Sequence, residues 1–206
     1  MEKTISQQHS ALLQLGTELT KERKSSAEKI EKNAVAYLKQ LGMPHAQFVV
    51  VFEKLTEPRF NGTDALQFLF SANKGHEPRE LARVASGGEM SRLMLSLKAI
   101  LASAVKLPTM IFDEIDSGIS GEVAIKTANI LSEMSRQHQL ICITHLPQVA
   151  AKANRHFKVI KLVEKNITNT RVLMLNDDDK VREIAQMLAG EKPSEAALEN
   201  AKQLMN

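Results

Sequence analysis

No proline occurs between Met1 and Gly42, and Gly16 is the only glycine before Gly42. Glu, Lys, Gln, Ala and Leu dominate this stretch, and all are good helix formers, so it reads as one continuous helix. Leu12, Leu15 and Leu19 keep a three-four spacing that Ile30, Ala34, Tyr37, Leu38 and Leu41 resume. Between them, Lys21-Glu22-Arg23-Lys24-Ser25-Ser26 leaves the apolar stripe nearly bare. A helix of roughly 40 residues is about 60 Å long, longer than a small domain is wide. Such a helix needs a second helix along its stripe or it projects into solvent; a plain surface helix is the simpler alternative. Gly42 followed by Met43-Pro44 supplies the stop, with glycine suited to the left-handed position past the last turn. Residues 1–43 are therefore expected as one arm-like helix, and residues 44–206 as the folded body.

A chain of 206 residues has room for one compact domain with an appendage. Its 43% hydrophobic and 25% charged residues exclude wholesale disorder and fibrous repeats. The single cysteine, Cys142, lies in an apolar run and is expected to point into the core, so a reducing, cytoplasmic setting follows. No apolar stretch approaches the roughly 18 residues of a membrane helix, and the polar N-terminus carries no signal-peptide core, so no membrane partner is expected. A net charge of +3 is too mild to decide nucleic-acid binding. Lys21, Arg23 and Lys24 make a small basic cluster, which reads first as a solvated helix face.

After Pro44 the pattern turns extended. Phe48–Phe52 and Leu66–Phe70 read as two strands, joined by a loop containing Pro58, Asn61-Gly62 and Asp64. Ala85-Ser86-Gly87-Gly88-Glu89 precedes a helix whose buried face carries Met90, Leu93, Met94, Leu97, Ile100 and Leu101. Leu107–Phe112 reads as a buried strand ending in Asp113-Glu114, followed by a loop, Ile115–Gly121, and a helix over about 122–137. Leu140–Thr144 is a second buried strand, with His145 at its tip. Strand, helix, strand makes a βαβ unit and an α/β fold with a partly parallel sheet flanked by helices. A hairpin over about 156–175 and two helices, about 180–188 and 194–205, complete the body. Asp177-Asp178-Asp179 suits the positive end of the first of these helices better than a metal site.

Three features are expected on the same edge of the inferred sheet. Ser86-Gly87-Gly88 offers a hydroxyl and open backbone N–H groups at a helix N-terminus, where phosphate binds well. Asp113-Glu114 places one carboxylate to hold Mg²⁺ through water and a second to polarise an attacking water. His145 is a donor able to reach a terminal phosphate. Each alone has an ordinary structural reading, as a turn, a solvated loop start or a strand-end histidine; their conjunction points to phosphate chemistry. Zinc binding by Cys142 and His145 is disfavoured, because there is no second cysteine.

In order and spacing, Ser86-Gly87-Gly88-Glu89, Asp113-Glu114 and Thr144-His145 resemble the signature motif, Walker B motif and switch histidine of ABC-type ATPase heads. More narrowly, Leu81–Arg92, Phe112–Gly121 and Thr144–Ala151 are similar to the RecN family, the SMC-like DNA double-strand-break repair proteins of bacteria. Ser120, where most ABC proteins have Asp, fits that narrower family, as do Leu41–Pro44 and Arg182–Leu188. The resemblance covers essentially the whole chain. It implies the C-terminal lobe of an ABC/SMC-type P-loop NTPase head, with the first helix as the returning stub of a coiled-coil arm. It also implies that two heads sandwich two ATP molecules, the signature of one capping nucleotide held by the other. Ser86, Gly87, Gly88 and Glu89 then meet the γ-phosphate in trans, with Arg83 or Arg92 as support. Asp113 holds Mg²⁺, Glu114 is the catalytic base, Ser117, Gly118 and Ser120 lie in the D-loop, and His145 senses the γ-phosphate. Expected partners are an N-terminal Walker A half, a second head in a homodimer and DNA in the full-length context, near the nucleoid.

One departure is decisive for activity. A P-loop, G-x-x-x-x-G-K-[ST], supplies the amides and lysine that neutralise the β- and γ-phosphates, and no glycine in this sequence is followed by lysine. The expectation is half a head, with little ATP affinity and no useful hydrolysis alone. The rival from another class is a non-enzymatic, shortened interaction or dimerisation module, for which Met1 would be a start of its own.

Overall fold

The first helix, α1 (Glu2–Gln40), forms over the proline-free stretch and ends in a Schellman motif. Met43 N–H donates to Leu38 O at 2.9 Å and Gly42 N–H to Lys39 O at 3.3 Å, with Gly42 at φ +80°. The computed structural model describes residues 2–84, 87–113, 115–116, 118–164 and 167–205, and the chain divides into two units, Met1–Ala104 and Val105–Asn206.

In the first unit, α1 changes character along its length. Ile5, Leu12, Leu13, Leu15 and Leu19 are exposed, whereas Ala27, Ala34 and Leu38 are buried. The buried end packs on β1 (Gln47–Arg59), β2 (Gly62–Ser71) and α2 (Gly87–Ala104). Strands β1 and β2 are antiparallel, pairing Phe48 with Phe70 and Phe52 with Leu66, and β3 (Arg79–Glu80) joins the far side of β2. Ala34, Leu38, Met43, Ala46, Phe48, Phe70 and Leu93 form the core of this unit. Glu31 Oε1 accepts the Val50 N–H at 2.6 Å, satisfying a backbone donor on the edge strand.

β1 extends further than the sequence pattern indicates, through Pro58 to Arg59. It is an edge strand, where proline costs no ladder bond, and its register shifts between Lys54 and Arg59. The connection shrinks to a tight turn at Phe60-Asn61 before Gly62 (φ +119°). The hairpin tip is clamped to α1. Thr20 Oγ1 donates to Asp64 Oδ2, and Arg23 Nη2 donates to Asn61 O at 2.7 Å while Nη1 lies 3.9 Å from Asp64. A Cβ on Gly16 would stand 2.6 Å from Thr63 Cγ2, which explains the lone glycine before the helix stop. Arg23 is therefore not part of a solvated basic face, because the hairpin tip uses its guanidinium. Lys24 Nζ sits 5.8 Å from the Phe52 ring centre.

In the second unit, β4 (Thr109–Asp113), α3 (Gly121–Ser135) and β5 (Gln139–Ile143) form the expected βαβ unit, with the strands parallel and Phe112 opposite Cys142. Met110 and Phe112 are buried, as are Ala124, Ala128 and Leu131 on α3. The expectation of strands buried on both faces needs correction: Ile111, Ile141 and Ile143 are 59%, 47% and 55% exposed. Helix α3 covers one face of a two-stranded sheet and leaves alternate residues outward. Cys142 is half-buried rather than central to a core.

Helix α4 (Pro147–Ala151), a single short turn opened by proline, has no counterpart in the sequence pattern. Strands β6 (Phe157–Glu164) and β7 (Ile167–Met174) pair antiparallel as expected, and one face of the pair exposes Phe157, Val159, Val172 and Met174. Helix α5 (Asp177–Ala189) is capped by Asn176, whose Oδ1 accepts the Asp179 N–H at 2.8 Å, with the three aspartates in its first turn. Ala151, Ile184, Ala185 and Ala201 pack α4 and α5 against α6 (Glu195–Met205). Among the described residues no helix is long and apolar enough to cross a membrane.

Candidate functional site

Parallel pairing fixes the second unit's site. Asp113 is opposite Ile143, so the chain leaves β4 and β5 at the same edge, and the loops carrying Asp113 and Thr144-His145 arise side by side. Asp113 is exposed at the tip of β4. Glu114 and Ser117 lie outside the described residues, as does Ser86. The loop onward is tight: Ile119 N–H donates to Asp116 O at 3.3 Å, and Gly118 and Gly121 take φ +73° and +54°, which favour glycine. Ser120 is extended and precedes α3 without a side-chain cap bond.

Asp116 organises the edge, although the sequence reading gives it no role. Its side chain is fully buried. Oδ2 accepts from Thr144 Oγ1 and from the His145 backbone N–H at 3.2 Å, and Thr144 Oγ1 accepts the Leu146 N–H at 3.0 Å. The other oxygen, Oδ1, has no hydrogen-bond partner and lies 3.5 Å from His145 Nδ1. The His145 ring is 69% exposed. Burial, and secondly the Asp116 carboxylate, push the Cys142 thiol up to about 11, so it carries its proton at neutral pH.

Among the described residues no three His, Cys, Asp or Glu side chains converge as a metal site. A lone exposed carboxylate such as Asp113 suits a hard cation that keeps its water and arrives with phosphate oxygens, which is the habit of Mg²⁺. Gly87, Gly88 and Glu89 belong to the first unit, at the start of α2. A Cβ on Gly87 would meet nothing within 4 Å, so packing within the chain does not demand glycine there. Arg92, one turn on, is half-buried; desolvation lowers its pKa and Glu89 partly opposes that shift, while its Nε is buried without a hydrogen-bond partner. Arg83 is exposed and pairs with Glu80 at 3.6 Å. The start of α2 presents helix-terminal amides of the kind that bind an anion.

No protein-family model matches the chain. It is 42% identical over 197 residues to the DNA repair protein RecN of Deinococcus radiodurans, covering 96% of this chain and 34% of that protein. It is 37% identical over 191 residues to RecN of Haemophilus influenzae, covering 92% and 34%. The chain thus spans about a third of the length of these relatives. Among solved structures, the Smc head domain with a coiled coil and joint from Pyrococcus yayanosii matches with a TM-score of 0.61 at 21% identity, over 89% of this chain and 34% of that one. A chain from a study of ATP-driven dimerization and DNA-stimulated activation of SMC ATPases matches with a TM-score of 0.52 at 21% identity, over 82% and 96%. These likenesses establish an SMC-head fold.

Proposed function

The chain belongs with the RecN-type DNA repair proteins, whose C-terminal part it matches, and from that premise we propose that it supplies the signature and Walker B half of an ATPase head. The observation that carries the reading is the shared strand edge, where Asp113 ends β4 and His145 follows the end of the adjacent parallel strand β5. An N-terminal Walker A half supplies the P-loop that this sequence does not contain, so the chain alone hydrolyses no ATP.

Each residue then has a task. Asp113 holds the Mg²⁺ that neutralises phosphate charge when nucleotide is bound. Glu114 takes the proton of a water whose oxygen attacks the γ-phosphorus as the bond to the β–γ bridging oxygen breaks. His145 contacts the γ-phosphate. Ser86, Gly87, Gly88 and Glu89 cap the nucleotide of a second head, which accounts for an open glycine at 87 that packing does not require. Ser117, Gly118 and Ser120 meet the other head as its D-loop. The exposed leucines of α1 are the seam of a coiled-coil arm. In the whole protein this cycle acts on DNA in the bacterial cytoplasm, at the nucleoid.

Sedimentation of the head completed with a P-loop-bearing half tests this reading. Glu114→Gln should accumulate an ATP-dependent dimer, and Ser86→Arg should abolish it. A Glu114→Gln head that stays monomeric with ATP and Mg²⁺ contradicts the proposal.

A further inference from the structure

Asp116 is the one fully buried carboxylate among the described residues, and its two oxygens are used differently. Oδ2 is saturated by the Thr144 hydroxyl and the His145 N–H, so it fixes the backbone of the loop after β5 from the loop after β4. Thr144 is held in turn, because its hydroxyl oxygen also accepts the Leu146 N–H just before α4. Oδ1 is buried, lacks a hydrogen bond and faces His145 Nδ1 at 3.5 Å, beyond good hydrogen-bond length. A buried carboxylate oxygen without a donor is costly, and a small rotation of the exposed imidazole would supply one.

We propose that Asp116 is a positioning residue for the head, holding the His145 loop through Oδ2 and orienting the imidazole through Oδ1, so that Nδ1 faces the carboxylate and Nε2 is the nitrogen presented to nucleotide. The geometry gives His145 two stations: closed on Asp116, or swung into solvent with Oδ1 unpaired. The ring nitrogen engaged by a neighbouring acceptor determines which nitrogen remains for function. Because Asp116 lies three residues beyond Asp113, in the loop that follows β4, a shift at the Walker B end is transmitted to the histidine through one side chain. This inference rests on the proposed role of His145, but its first test does not need ATP.

In the chain itself, the His145 ring resonances report the contact. Asp116→Asn, close in shape, should shift the His145 ring carbon and nitrogen signals while circular dichroism stays that of the parent. If Asp116→Asn does not fold, Thr144→Val removes one of the groups steering the carboxylate and should move the same signals. Unchanged His145 signals in the folded variant overturn the proposal, whatever the fate of the ATPase reading. In the head completed with its P-loop half, Asp116→Asn should lower kcat roughly tenfold with KM kept, and should change kcat less than about twofold when His145 is already Ala. Losses that multiply in the double variant overturn the proposal. A completed head without ATPase activity refutes the proposed function and leaves the resonance result as the judge of Asp116.

Discussion

The two sheets that carry this protein's cores, one an antiparallel hairpin and one a parallel pair, each bury one set of apolar residues and leave another open. In β1–β2, Phe48 and Phe70 stand opposite each other and are buried within a core that α1 and α2 complete. In β4–β5, Met110 and Phe112 are buried, while Ile111, Ile141 and Ile143 on alternate positions remain open. The first sheet likewise leaves Val51, Leu66 and Phe68 exposed, so each sheet is a one-sided layer. What differs is the pairing, and within either sheet similar residues at covered and open positions should carry very different energies.

The largest contrast is within β4–β5. Phe112→Ala should cost about 3–5 kcal/mol of stability, as full truncation of a buried aromatic does, and Phe48→Ala should cost a similar amount in the first unit. Ile141→Thr should change the stability of this chain by no more than about 0.5 kcal/mol, since an exposed β-branched position keeps its backbone preference. Urea unfolding of the three variants measures this, and equal losses at Phe112 and Ile141 would break the comparison. An intermediate effect is expected at the hairpin clamp. Asp64→Ala removes the carboxylate that Thr20 and Arg23 share, leaving them only Gly16 O and Asn61 O, and should cost about 1–3 kcal/mol, seen as faster amide exchange at the turn around Asn61-Gly62. The smallest effect concerns Cys142 on the half-buried side of β5. Its folded thiol keeps its proton to about 11 against an ordinary value of 9.0. Its contribution to stability is therefore intact below about 9 and declines as pH rises from there through about 11. Alkylation of the folded chain should be slow at neutral pH and accelerate over that window; rapid labelling at neutral pH would show that the thiol is not desolvated.

Much of this architecture is legible in the sequence because local signals agree with tertiary packing. The glycine-proline stop after α1 is a Schellman motif in the structure, and the two apolar runs are parallel strands around α3. What escapes the sequence depends on partners far along the chain. Pro58 ends a strand by local rules but not on an edge. Gly16 looks like a weak point in a helix until Thr63 is seen against it. Runs such as Leu140–Thr144 read as buried on both sides because composition does not reveal how many layers cover a strand. Asp116 had no visible role because its hydroxyl partner, Thr144, is 28 residues away. Its legible signal is a short carboxylate just ahead of Gly118 and Gly121, a pattern that many solvated loops share. Of the expected site, Asp113 and His145 come together at one edge, and Gly87 starts α2 as anticipated.

The proposed division of labour gives this chain the catalytic carboxylates and the signature and leaves the phosphate clamp to an N-terminal half. ATP hydrolysis with Mg²⁺, measured for the chain alone and after mixing with a P-loop-bearing N-terminal half, tests it most directly. No turnover is expected alone, turnover on mixing, and loss of that turnover with Glu114→Gln. Turnover by the chain alone that Glu114→Gln abolishes, or no gain in nucleotide binding on mixing, would contradict it.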